Sequence, residues 1–320
     1  MPSPRPTRRT LLRAAVAATT AALATGVGAG TAGAAATVTG QTWLDARTVD
    51  LTVASPAVGA TVPVRVILPT AYAAQPDRTW PVLHLLQGAH DDYTSWTRET
   101  GIETFLADKD VIAVMPSSGP TGIPTDWWNY GTDSPDYETF VAEEVPALLG
   151  AGFRAGAGRA VAGVSTGGYG ALALAARRPG TFGTAASYSG ILHTMAPGMP
   201  AVLDTIVLRE SLSPLTLWGS RLLNLRNWQG HNPYDLARDL SGTALYLSQG
   251  SGVGDDSDNP VGALLEGALW DQAHAFADRL TALGVPAQTH FYAGGAHSWP
   301  YWQQEFTASW PLLAAGLGLN

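Results

Sequence analysis

From residue 37 onward the chain alternates between short apolar, β-branched runs and longer stretches whose apolar positions recur at helical spacing. The runs 61–68, 81–86, 111–115, 159–164, 185–189, 243–248 and 287–292 predict strands. Several are apolar almost throughout, as strands covered on both faces are. Between them, 137–149, 168–178, 262–283 and 299–315 predict helices, and Pro179-Gly180 stops the second of these. This rhythm predicts an α/β fold with a mostly parallel central sheet and helices on both faces. Residues 38–53, with Gly59 and Pro63 further on, predict an antiparallel lead-in to that sheet. Residues 193–232 break the rhythm with Pro, Gly, Trp and mixed helical signals, and predict a small inserted cap near the functional site.

The first 36 residues do not share this pattern. Thr7-Arg8-Arg9-Thr10-Leu11-Leu12-Arg13 is a twin-arginine pattern, followed by an Ala-rich, mildly apolar stretch. Small residues at Ala34-Ala35-Ala36 suit cleavage near Ala36, so 1–36 reads as an export signal and 37–320 as one catalytic domain. The expected location is outside the cell, with a cell-wall association compatible with it. The stretch is too weakly apolar for a stable membrane span. Apolar residues make up 46% of the chain and charged ones 14%, enough for a large core. A formal net charge of −8, with Lys109 the single lysine, leaves no basic patch for nucleic acid. Zero cysteines exclude disulfides and Cys-based metal sites.

Candidate chemistry centres on Gly163-Val164-Ser165-Thr166-Gly167-Gly168, a G-x-S-x-G pattern between the predicted strand 159–164 and helix 168–178. That context is the one in which a sharp strand-to-helix turn lifts a serine hydroxyl above a sheet. A serine needs a base to take its proton, and in α/β-hydrolases the chain order is Ser, acid, His. Of seven histidines, only His274, His290 and His297 lie far enough downstream. His274 falls in a helix pattern and His290 in a strand pattern. His297 follows the last predicted strand in Gly294-Gly295-Ala296-His297, which makes it the candidate base. Asp255, Asp256, Asp258 and Glu266 are candidate acids, and position directly after strand 243–248 favours Asp255 or Asp256. The acidic run lacks the ligand spacing of a calcium loop. The amide of Thr166 is one candidate oxyanion donor. The Leu86-Gln87-Gly88-Ala89 loop offers the amide of Ala89 as the other. No cofactor is required by this chemistry.

These words also form a resemblance. Leu86-Gln87-Gly88 with Asp91-Asp92-Tyr93, Val114-Met115-Pro116, Asp126-Trp127-Trp128, Glu144-Val145-Pro146, the nucleophile turn and His297-Ser298-Trp299-Pro300-Tyr301-Trp302 span nearly all of 37–317. The chain resembles the esterase D group of α/β-hydrolases, and within it the antigen 85 type mycolyltransferases. The resemblance implies Ser165 as nucleophile, His297 as base and the Ala89 and Thr166 amides as oxyanion donors. It moves the acid to Glu266, in a Leu265-Glu266 word about thirty residues before the histidine. Mycolyltransferases carry an aspartate where this chain has Gln87, a position that helps hold the sugar acceptor. The resemblance therefore implies ester hydrolysis ahead of transfer to a sugar or diacylglycerol hydroxyl, with Gln87, Trp127 and Trp299 as substrate-binding residues. The expected partner is a small acyl ester of a lipid or sugar. From a different class, the rival expectation is a secreted binding protein that keeps the fold without turnover.

Overall fold

The computed structural model describes residues 35–132, 134–254 and 259–319. The antiparallel lead-in comes first: β1 (Thr37–Trp43), β2 (Thr48–Ser55) and β3 (Ala60–Ile67) pair in succession. β4 (Trp80–Leu86), β5 (Ile112–Pro116), β6 (Ala155–Val164), β7 (Thr184–Tyr188), β8 (Ala244–Gly250) and β9 (Gln288–Tyr292) follow. The sheet order is β1-β2-β3-β5-β4-β6-β7-β8-β9, antiparallel as far as the β3–β5 pair and parallel from β5 to β9.

Alternation along β4 shows why both faces need cover. Val82 and Leu86 join one apolar cluster with Phe140, Leu172 and Phe276. Leu83 and Leu85 join the other, with Trp96, Phe306 and Leu313. Successive side chains point to opposite faces, so a continuously apolar strand demands helices on each. After β4 come α1 (Ser95–Glu99) and α2 (Ile102–Phe105), too short to leave a helical period in the sequence. The expected helix 137–149 is instead α3 (Tyr137–Thr139), a π-helical turn at Phe140–Glu144 and α4 (Val145–Gly152). Pro146 has no N–H to give an ordinary helical bond and its ring crowds the carbonyl one turn back, which favours the wider turn there. α5 (Thr166–Arg177) starts earlier than its apolar pattern suggested.

Residues 193–232 carry α6 (Met199–Arg209), α7 (Leu215–Trp218) and α8 (Leu225–Gly230). Leu203, Val207, Leu217, Trp218 and Trp228 from this insert share a third apolar cluster with Tyr169 and Ala173 of α5. The insert is thereby packed against α5, the helix that follows Ser165. α9 (Pro260–Leu283) and α10 (Trp299–Gly316) complete the chain. Among the described residues, no helix is long and apolar enough to cross a membrane.

Candidate active site

β6 ends at Val164 and α5 begins at Thr166, which leaves Ser165 alone at the turn with φ 54° and ψ −119°. A left-handed φ is strained for a residue with a Cβ. The surroundings hold it in place. The Ser165 N–H donates to the Tyr188 carbonyl at the end of β7, at 2.9 Å. A Cβ on Gly163 would stand 2.1 Å from the Gly167 carbonyl oxygen, and one on Gly167 would stand 2.4 Å from that of Gln87. Here the chain crosses itself too closely for any side chain, which is why both flanking positions are glycine.

His297 lies in the loop between β9 and α10, after Gly294 and Gly295, both at positive φ. Its N–H donates to the Gly262 carbonyl (3.0 Å), tying the loop to the start of α9. Its Nδ1 is 2.9 Å from Glu266 Oε2. An ionised carboxylate only accepts, so Nδ1 carries the proton and Nε2 is left as an acceptor. Glu266 is fully buried on α9. Its Oε1 accepts from the Gly250 N–H at the end of β8 and from Ser189 Oγ, each at 2.8 Å. Trp302 Nε1 in turn donates to Ser189 Oγ at 3.0 Å, and its ring meets that of His297 edge-on. Burial and the neighbouring Glu266 charge push the Tyr292 hydroxyl well above its ordinary range, so it stays neutral beside the carboxylate. Asp255, Asp256 and Asp258 lie outside the described residues. His274 bonds the Trp270 carbonyl on its own helix, and His290 pairs with Glu305.

The Gln87-Gly88-Ala89-His90 loop runs beside Ser165. A Cβ on Gly88 would be 3.4 Å from that of Ser165. His90 takes φ 60°, its N–H donates to the Pro120 carbonyl at 2.8 Å, and its ring pairs with Glu210 just beyond α6. Ser165, His297, Ala89 and Trp299 line one cavity of about 690 Å³. Its far wall is apolar: Val202 and Ile206 from α6, Leu265 and Leu269 from α9, and Ile191. Thr166 is fully buried as the first residue of α5. Among the described residues, no group of three or more His, Asp or Glu is arranged to hold a metal ion.

Two expected substrate-binding residues are placed elsewhere. Gln87 is buried, and its Nε2 donates to the carbonyls of Asp91 and Gly119 (3.0 Å for the latter), so its amide braces the loop and does not line the cavity. Trp127 belongs to the apolar cluster beneath the insert and borders a separate hollow with Asp126 and Asp136. A partial charge pattern in the sequence does not separate a loop-bracing amide from one that meets a ligand. Ser189, which links Trp302 to Glu266, was not anticipated. Its only signal is its place at the C-terminal end of a central parallel strand, where such folds gather ligand-facing groups.

A mostly parallel sheet with a strand–serine–helix turn at its centre is the α/β-hydrolase fold, and solved structures agree. The MPT51 structure from Mycobacterium tuberculosis superposes with a TM-score of 0.70 at 24% identity, covering 83% of this chain and 97% of that one. A fluorophosphonate-binding serine hydrolase F from Staphylococcus aureus gives 0.65 at 22% identity, over 83% and 97%. Residues 55–313 match the Esterase family, described as putative esterase, and the chain belongs to that family. It is 31% identical over 257 residues to Esterase Rv1288 of Mycobacterium tuberculosis, covering 75% of this chain and 53% of that protein. The chain thus spans about half the length of that relative. It is 29% identical over 252 residues to the diacylglycerol acyltransferase/mycolyltransferase Ag85A of Mycobacterium gordonae, covering 74% of each.

Proposed function

We propose that this chain is a serine esterase or acyltransferase that works through an acyl-serine intermediate. The observation that carries the reading is the 2.9 Å bond between the buried Glu266 and Nδ1 of His297, which lines the same cavity as the strained Ser165. With Nδ1–H held by the carboxylate, Nε2 of His297 takes the Ser165 hydroxyl proton as Oγ attacks the ester carbonyl. The Ala89 and Thr166 amides receive the oxyanion, aided by the positive end of α5. As the tetrahedral intermediate collapses, the C–O bond to the alcohol breaks and the imidazolium returns its proton to the leaving oxygen. Water or a second alcohol then gives a proton to His297, attacks the acyl-serine and releases free acid or a new ester, restoring Ser165.

The apolar wall of Val202, Ile206, Leu265 and Leu269 suits the hydrocarbon part of the acyl group, and Trp299 at the rim suits the alcohol. An acyl ester of a lipid or sugar is the substrate class we propose. Labelling with a fluorophosphonate probe tests the core of the reading: wild type should label, Ser165→Ala should not, and a wild type that stays unlabelled argues for the binding-protein alternative. Hydrolysis against transfer is read by product partitioning, with free acid measured against acylated glycerol or sugar. The twin-arginine pattern at Arg8 and Arg9 supports export, and replacing both with lysine should keep the protein inside the cell.

A further inference from the structure

Twelve large hydrophobic side chains are exposed among the described residues, and they are not scattered. Six are leucines between positions 208 and 225: Leu208, Leu212, Leu215, Leu222, Leu223 and Leu225. Three more, Val253, Val261 and Leu264, lie just before and within the first turns of α9. Leu208 lies on α6 and Val261 and Leu264 on α9, the two helices that also wall the cavity. On α6, Val202 and Ile206 line the cavity while Leu208 faces outward, and the exposed Arg209 next to it reaches the cavity edge. On α9, Leu265 and Leu269 line it while Val261 and Leu264 face outward.

The leucine-rich turn is braced. Arg221 pairs with Asp204 of α6 at 3.0 Å, the Ser220 N–H donates to Asn224 Oδ1 at 3.0 Å, and Trp228 Nε1 donates to the Gly219 carbonyl at 2.9 Å. Leu222 and Leu223, 86% and 83% exposed, are therefore held outward on a fixed base. Apolar groups presented this way remain in water at a cost unless something covers them.

Charge selects what covers them. Residues 211–230 contain Arg221 and Arg226 and no Asp or Glu, in a chain of net charge −8. Asp204 neutralises Arg221 and Glu210 is paired to His90, which leaves Arg209 and Arg226 exposed beside the leucines with no ion-pair partner among the described residues. A second copy of the chain, related by a two-fold axis, would bring these arginines toward each other. Apolar side chains interleaved with arginine are instead the composition of a lipid-surface anchor.

We propose that the exposed leucines of 208–225, with Arg209 and Arg226, dock the protein on an anionic lipid surface beside the mouth of the cavity. The docking stands apart from the esterase reading, because the inert Ser165→Ala protein would still dock. The test is co-sedimentation of that protein with phosphatidylcholine vesicles, with and without about one third phosphatidylglycerol. Partitioning should be clear on the anionic vesicles, weaker on the neutral ones and reduced by salt. Leu222→Glu/Leu223→Glu should lower it by about tenfold or more. The same double variant with Ser165 intact should hydrolyse a water-soluble acetate ester at the wild-type rate, which checks its folding. Binding that is absent from both vesicle types, equal on both, or untouched by the double variant overturns the proposal. So does light scattering that shows a dimer which the double variant dissociates, since a second copy is then the occupant.

Discussion

The two sides of the cavity differ in how their groups are held. On the strand-end side, Glu266 receives bonds from His297, Ser189 and Gly250, Ser189 from Trp302, and the Ser165 amide bonds to β7. Directional bonds at short range leave these groups one arrangement. On the insert side, α6 presents Ala201, Val202 and Ile206 to the same space, and no hydrogen bond fixes their positions relative to a substrate. Apolar contact is non-directional, so that wall accepts a range of chain shapes. On the proposed reading, reaction chemistry resides on one side and selection among esters on the other.

The sharpest break of this comparison is at the proposed nucleophile and base. Ser165→Ala and His297→Ala should each lower kcat by about 10⁴–10⁶ on every ester, long or short, with little change in thermal midpoint. A loss confined to one chain length would dissolve the division of labour. Next, Glu266→Gln keeps the shape but offers no full negative charge to an imidazolium, and kcat should fall roughly 10³–10⁴-fold. Near-wild-type kcat in this variant, with a severe loss in Asp255→Asn or Asp256→Asn, would move the acid to the segment after β8. On the opposite wall, Ile206→Trp should fill space that long acyl chains need. Turnover of octanoyl esters should drop about 10–100-fold relative to acetyl esters, measured as kcat/KM. Equal losses for both would show that the chain goes elsewhere.

The smallest effect, nil at neutral pH, is on stability. Each region buries one histidine: His84 inside the sheet on β4 and His231 at the end of α8, stacked on Trp218. Burial first, and nearby Arg159 and Arg177 second, push their pKa values down to about 3. The unfolded chain takes up these protons near pH 6.5 and the folded chain only near 3. Stability is thus complete above about pH 6.5 and declines as pH falls toward 3, by up to ~1.4 kcal/mol per pH unit for each histidine. Urea titrations at pH 7 and 5 should show it, and His231→Gln should remove part of the difference. An unchanged midpoint would mean that neither ring is held neutral.

Much of the strand side was legible because its demands are local. A serine between glycines after an apolar strand, and a histidine after the last strand, are patterns written in adjacent residues. The sheet was readable for the same reason, since its central strands are apolar nearly throughout. What could not be read depends on distance in the chain. Ser189 reaches Glu266 across 77 positions, and Gln87 is tied to Gly119 across 32. The meaning of either side chain is set by its partner, so Gln87 looked like a ligand contact until the carbonyls around it were placed. Changing Gln87 to aspartate would set a carboxylate against those two carbonyl oxygens. That change is a poor probe of acceptor binding. The short helices α1 and α2 escaped because four or five residues make little more than one turn, too few for a period to repeat.

The backbone at Ser165 has a consequence for how such a protein drifts. Its positive φ suits glycine, and on the proposed reading the side chain is kept there for chemistry. Ser165→Gly should therefore melt at a higher temperature than wild type while losing all turnover, with a gain on the order of 1 kcal/mol. Mutation toward an inert but sturdier molecule lies a single amino-acid substitution from the working one. Only selection for turnover opposes it, so a lineage that stops needing the reaction should shed its nucleophile early and keep its fold long afterward.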